Sequence, residues 1–173
     1  MKRTTHLMLG AAAGLLVAAS ASPPVAAGAL WMGVAGGGFP DWLDLRSELR
    51  GSLRLRHRGA SHGLPFAIVV TLLVGIGLRA LAGASLGLDI SEGTATILTL
   101  AFGAGILSHL ASDACTHAGI RPLLPLAGWK LWLLPRMLRG RSDGYLNLFA
   151  LLISTGAIGL VIVWKVAEGA GAI

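Results

Sequence analysis

Charged residues are scarce in this chain: Asp, Glu, Lys and Arg make up 13% of its 173 residues, while 54% are hydrophobic. A typical soluble domain carries about 25% charged residues, so the composition excludes a water-soluble globular protein and predicts an integral membrane protein. The formal net charge is nevertheless +6. In a membrane protein an excess of cations is typical of cytoplasmic loops, and we therefore expect no nucleic-acid partner.

Cysteine is almost missing as well. Cys115 stands alone, which excludes an intramolecular disulfide and a zinc site built from several thiolates. A metal site in this chain must therefore use histidines and carboxylates.

Apolar runs separated by short polar stretches fill most of the chain. At roughly 20 residues per crossing, this length predicts an all-α polytopic membrane bundle, a single integral domain over 1–173 with four or five transmembrane helices. The clearest spans are Leu64–Leu78, Thr94–Ala111 and Tyr145–Val166. The stretch Leu123–Leu138 alternates tryptophans with cations and is predicted to form an interfacial amphipathic helix.

The two N-terminal runs leave alternatives open. His6–Ala21 follows two cations and ends in Ala-Ser-Ala, so it is either a membrane span or a cleavable signal peptide. Val25–Phe39 is short and rich in glycine. It could cross the membrane, cross it with a break, or enter and return, because glycines at membrane depth are tolerated where neighbouring helices cover the backbone.

The cations predict the orientation. All but Arg79 and Lys165 of the 14 Lys and Arg residues lie at the N-terminus or in the two large loops near 40–63 and 112–144. By the positive-inside rule these regions are cytoplasmic and the C-terminus is outside. We expect the loop cations to lie against anionic lipid headgroups.

This topology brings all five histidines and several aspartates to the cytoplasmic face. His109 and Asp113 are four residues apart, so both side chains lie on one helical face, as two ligands of one ion or as a ligand and its orienting carboxylate. His57 and His62 flank Gly59 in the stretch HRGASH and would converge only if the loop turns there. We predict that His57, His62, His109 and Asp113 hold a divalent metal ion, with zinc as one candidate.

The same cluster also suggests chemical roles for the residues beside the proposed ligands. Asp41 is predicted to be a further ligand or the general base, and Arg58 to hold an anionic group of a substrate. A divalent ion with one position left for water lowers the pKa of that water toward ~7. Hydrolysis of an ester or phosphodiester near the lipid headgroups would suit this location. The alternative is a non-catalytic scaffold, stress-linked protein or small transporter in which these residues form a structural polar network.

The motifs also resemble a known family. Thr5-His6, Pro40-Asp41, HRG-x-SH, SH-x3-D and the stretch Gly119–Pro125 follow one another as in the YdjM-type family, over about residues 5–125. That family is described as LexA-binding, inner-membrane-associated metal-dependent hydrolases. The resemblance implies a bacterial inner-membrane protein and places His57, His62, His109 and Asp113 on the motif positions.

Two departures concern the ligand set. The family often has Pro-Asp-x-Asp-His, whereas this chain reads PDWLD followed by Leu45, so Asp44 is displaced by one residue and a histidine is missing. The usual proline after the threonine near the end of the fourth span is His117 here.

Overall fold

The structure, a computed structural model, describes residues 1–50, 59–83, 90–141 and 144–169, without the side chains of 45–50. The described part contains five α-helices and no strand beyond two isolated β-bridges, which confirms the all-α prediction. The helices are α1 (Arg3–Val17), α2 (Pro23–Arg50), α3 (Leu64–Gly83), α4 (Glu92–Ala114) and α5 (Tyr145–Gly169).

Three of these helices, α3, α4 and α5, are long and apolar enough to cross a membrane. This is fewer than the four or five spans predicted. The 15 residues of α1 extend only about 22 Å, short of a hydrocarbon core of about 30 Å. The 28 residues of α2 are long enough, but its glycines and its polar second half lower its hydropathy. The run Val25–Phe39 is thus the first part of a longer helix that continues through Pro40.

Glycines allow α1, α2 and α4 to pack backbone against backbone. Gly10 and Gly14 of α1 face Gly33 and Gly37 of α2, with a spacing of four residues on each helix. Gly105 of α4 lies against the same two α2 glycines. A methyl group added at any of these positions would overlap a backbone atom of the neighbouring helix. Such small-residue contacts are the usual route to close approach of membrane helices, and here they form the centre of the bundle.

The two outer helices each contact the central helices on one side, α3 through α4 and α5 through α1. Gly75 and Gly103 allow α3 and α4 to meet through Thr99 and Thr71. At the start of α5, the Asn147 side-chain oxygen accepts hydrogen bonds from the Lys2 amide at 3.0 Å and the Thr5 hydroxyl at 2.7 Å. The large apolar side chains of α3 and α5 point outward and are exposed, as expected of surfaces that contact lipid.

The segment between α4 and α5 corrects the prediction of an amphipathic helix over Leu123–Leu138. Within these residues the chain forms turns and one short 3-10 turn, Arg136–Leu138. The Ile120 and Leu131 backbones pair in both directions at 3.1 and 2.8 Å, which folds the segment back on itself. The physical reason lies in Pro125 and Pro135, which lack the amide donor that a helix interior requires.

Candidate metal centre

The predicted site residues that the structure describes meet at one end of the bundle. The beginning of α1, the ends of the apolar part of α2 and of α4, and the 3-10 turn Ala60–His62 converge there. The structure brings together Asp41, His62, His109 and Asp113. His57 and Arg58 lie outside the described residues, so their predicted roles remain predictions.

The closest pair is formed by two buried histidines. The Nε2 atoms of His62 and His109 lie 3.1 Å apart, and both side chains are fully buried. Asp41 Oδ1 lies 3.6 Å from Nε2 of His62 and 3.7 Å from Nε2 of His109. Asp113 Oδ2 lies 3.9 Å from each of the same nitrogens. A carboxylate oxygen of each aspartate therefore lies within 3.9 Å of both imidazole nitrogens.

His109 is oriented by the backbone of α2. Its Nδ1 lies 2.8 Å from the Gly37 carbonyl oxygen. A carbonyl can only accept, so Nδ1 carries the proton and the neutral ring presents an Nε2 lone pair to the cluster. Pro40 lacks the amide that would donate to the Gly36 carbonyl, which loosens the helical turn in which Gly37 lies. His109 Nε2 lies 3.9 Å from Asp113 Oδ2, so the two side chains share one helical face, as their spacing predicts.

His62 is oriented by a serine and a carboxylate. The Ser61 hydroxyl donates to Asp44 Oδ1 at 2.7 Å, and its oxygen lies 3.1 Å from His62 Nδ1. Asp44 Oδ2 lies 3.6 Å from the same nitrogen. Since Ser61 uses its proton on Asp44, its oxygen accepts from His62 Nδ1, and His62 Nε2 presents its lone pair to the cluster. Asp44, which the sequence left without a role, is thus a buried partner that orients a proposed ligand.

The structure adds His6 to the site, although the sequence gave this residue no role. Its ring stacks on His109 with centroids 3.8 Å apart, and Nδ1 lies 2.9 Å from the Ser112 hydroxyl. Its Nε2 lies 3.4 Å from Asp113 Oδ1, and the Met1 amino group lies 2.9 Å from the same oxygen. The fifth histidine, His117, is exposed.

The donor set fits a divalent ion. Tetrahedral coordination with bonds of 2.0–2.2 Å places neighbouring ligand atoms about 3.3–3.6 Å apart. The distances of 3.1 to 3.9 Å among the nitrogens and carboxylate oxygens bracket that range. Two imidazoles and two carboxylates suit zinc and other first-row divalent ions. Donor atoms that all lie within 4.8 Å of one another form two such groups, Asp41 with His62 and His109, and His6 with His109 and Asp113, and either could hold such an ion.

Asp41 differs from the other donors in its exposure. Its side chain is 21% exposed, whereas those of His62, His109 and Asp113 are at most 3% exposed. Burial raises the pKa of the Asp41 carboxyl, but interactions with the neighbouring imidazoles, His62 first, outweigh this and hold its pKa below the usual range. The residue is therefore a carboxylate at neutral pH, at the open edge of the site.

Comparison with known proteins gives a family. No curated protein and no solved structure matches the chain. The family described as YdjM inner membrane protein matches residues 1–169, a longer range than the motifs alone covered, and confirms the resemblance. This chain therefore belongs to the YdjM inner membrane protein family.

Proposed function

We propose that this inner membrane protein is a metal-dependent hydrolase that acts on an ester or phosphodiester near the lipid headgroups. The observation that carries the proposal is the convergence of two oriented imidazole nitrogens, 3.1 Å apart, with carboxylate oxygens of Asp41 and Asp113 within 3.9 Å.

The orientation of the rings makes a cation the natural occupant. Both Nδ1 atoms are held by acceptors, so both Nε2 lone pairs point at each other and repel unless a proton or a metal ion lies between them. A divalent ion would satisfy both nitrogens and a carboxylate oxygen beside them. A proton would satisfy only the nitrogens, as in the alternative of a structural polar network.

The four donor residues differ in burial, and this difference indicates their roles. Catalytic sites commonly use three protein ligands and leave one position for water or substrate. We therefore assign the three buried residues, His62, His109 and Asp113, as ligands. Asp41, at the open edge, is placed to accept a proton as general base. The ion, when bound, would supply Lewis acidity and acidify a water.

The predicted topology decides which substrates reach the site. The site lies where the apolar surfaces of α3 and α4 end, at the face that the loop cations predict to be cytoplasmic. Groups at the level of the headgroups are therefore within reach. A transporter would be expected to place its ionisable residues near the bilayer midplane, whereas these lie near the end of α4, beside the start of α3 and at the end of the apolar part of α2.

Elemental analysis of freshly purified protein in detergent tests the metal site. We expect about one equivalent of a divalent metal in the wild type, its loss in His62→Ala and Asp113→Ala, and its retention in the exposed matched control His117→Ala. If an alanine variant fails to fold, the conservative variants His62→Gln and Asp113→Asn test the same two ligands. A wild type that is folded, judged by circular dichroism, and contains no stoichiometric metal would refute the proposal.

A further inference from the structure

An apolar groove runs along the outer surface of α3 and α4 toward the candidate metal centre. Its volume is about 460 Å³. It is lined on α3 by Leu64, Ile68 and Leu72 and on α4 by Leu100, Ala104 and Leu107. We propose that this groove binds one acyl chain of an anionic phospholipid and so presents the headgroup linkages to the site. The assignment of that lipid as substrate rests on the proposed function; the binding of its chain does not.

The chemistry of the lining selects an alkyl chain. The lining side chains named above are hydrocarbon, and Ile68, Leu72 and Leu107 are more than half exposed. Both helices are candidate membrane spans, so hydrocarbon from the bilayer is in contact with this surface. Apart from Thr71, the lining has no polar side chain with which to orient a soluble ligand.

Small residues keep the groove open. Gly103 is part of the lining. A Cβ atom added there would lie 3.0 Å from Thr71 Cγ2, and a longer side chain would have to extend into the groove. The groove therefore depends on a glycine whose replacement does not touch the metal ligands.

One end of the groove lies at the level of the site along the helix axes. Leu64 follows the ligand His62 by two residues, and Leu107 precedes the ligand His109 by two. At 1.5 Å per residue in a helix, Leu107 lies about 3 Å along the α4 axis from His109. From Leu64 to Leu72 the lining extends about 12 Å into the membrane. A chain lying here would place its headgroup linkage at the level of the two histidines.

A basic and aromatic rim lies beside this end. The Leu64 amide donates to the Pro122 carbonyl at 2.7 Å, which brings the segment after α4 to the mouth of the groove. Arg121, next in the chain, is exposed, and Leu126 and Trp129 are 79% and 50% exposed. A cation with exposed apolar and indole side chains suits the level of anionic headgroups.

Photocrosslinking tests the groove without any turnover. The full-length protein is reconstituted into phosphatidylethanolamine and phosphatidylglycerol vesicles with a trace of phosphatidylglycerol that carries a diazirine on one acyl chain. Labelled peptides are then mapped by mass spectrometry. We expect labelling of 64–72 and 100–107 to exceed that of 153–163 on the exposed face of α5, beyond the apolar groove at the start of that helix, and Gly103→Leu or Ala104→Leu to abolish the excess. The matched control is Gly156→Leu, because Gly156 has open space around it.

The headgroup is tested in the same assay. Arg121→Gln should lower labelling by the phosphatidylglycerol probe up to about fivefold, the effect of one cation near a membrane surface. A phosphatidylcholine probe with the same acyl chain should be unaffected. Equal labelling of α5 and the groove, or an excess that survives both Gly103→Leu and Ala104→Leu, would overturn the inference.

The metal-dependent hydrolase and the acyl-chain groove can be refuted independently of each other. An excess of groove labelling in a protein without metal supports the lipid site and refutes the hydrolase. Metal that is bound stoichiometrically, with no excess of labelling, supports the metal centre and refutes the acyl-chain groove.

Discussion

Asp44 offers a sharp test of the metal centre, because it touches the proposed ligand His62 without facing the cluster itself. Its carboxylate accepts from Ser61 at 2.7 Å and lies 3.6 Å from His62 Nδ1. Removal of a carboxylate that orients a ligating histidine typically costs 10- to 100-fold in metal affinity, or about 1.4–2.7 kcal/mol. We therefore expect Asp44→Asn to weaken metal binding within this range and to leave one equivalent bound at saturation.

Competition against a chelator of known affinity measures this change in detergent-purified protein. Asp44→Glu keeps a carboxylate and should recover part of the affinity, which a purely structural role would not predict if both variants are equally stable to heat. The matched control is Glu92→Gln, since Glu92 is an exposed carboxylate paired with Arg79 at 3.1 Å, far along α4 from the site. Wild-type affinity in a folded Asp44→Asn protein would refute the orientation of His62 derived above.

Three further predictions concern other parts of the molecule. Asp41→Asn should retain the metal and lower hydrolysis of a phospholipid or phosphodiester found in a substrate screen by about 10²- to 10⁴-fold, the usual contribution of a general base. Gly33→Ala should lower the thermal stability in detergent by about 1–3 kcal/mol, because the added methyl overlaps the Gly10 backbone, whereas Gly156→Ala should not. Asn147→Ala should cost about 1–3 kcal/mol in the same measurement, because two donors at the start of α1 lose their acceptor.

Each of these predictions has a contrary outcome. Metal loss in Asp41→Asn would make this residue a ligand instead of the base. Equal melting of Gly33→Ala and Gly156→Ala would contradict the close packing of α1 and α2. A fully stable Asn147→Ala protein would show that the contact between α1 and α5 contributes nothing to stability.

The apolar helices were predictable because their signal is local. Leu64–Leu78, Thr94–Ala111 and Tyr145–Val166 all lie within observed helices, since a continuous apolar run in a membrane protein leaves the backbone no alternative to internal hydrogen bonds. The segment after α4 was mispredicted for a reason also visible in the sequence. Its tryptophans and cations suggested an amphipathic helix, but Pro125 and Pro135 carried the stronger signal.

The site was predictable in part. The spacing of His109 and Asp113 on one helix determines by itself that they share a face. His62 could be proposed because the cations place it on the same side of the membrane. His6 could not, since its run equally resembled a cleavable signal peptide, and nothing in the local sequence shows that its ring stacks on His109 at 3.8 Å.

Composition alone determined that this is a helical membrane protein, because the cost of burying charge and the length of a crossing follow from the residues themselves. The distribution of the cations predicted that its histidines gather at one face with Asp41, Asp44 and Asp113. The tertiary structure decided which of those residues meet. It did so through Gly10, Gly33 and Gly105, whose missing side chains let three helices approach closely. It also did so through Gly37 and Asp44, whose contacts fix the rings of His109 and His62. Such contacts join residues far apart in the chain, so no local pattern records them.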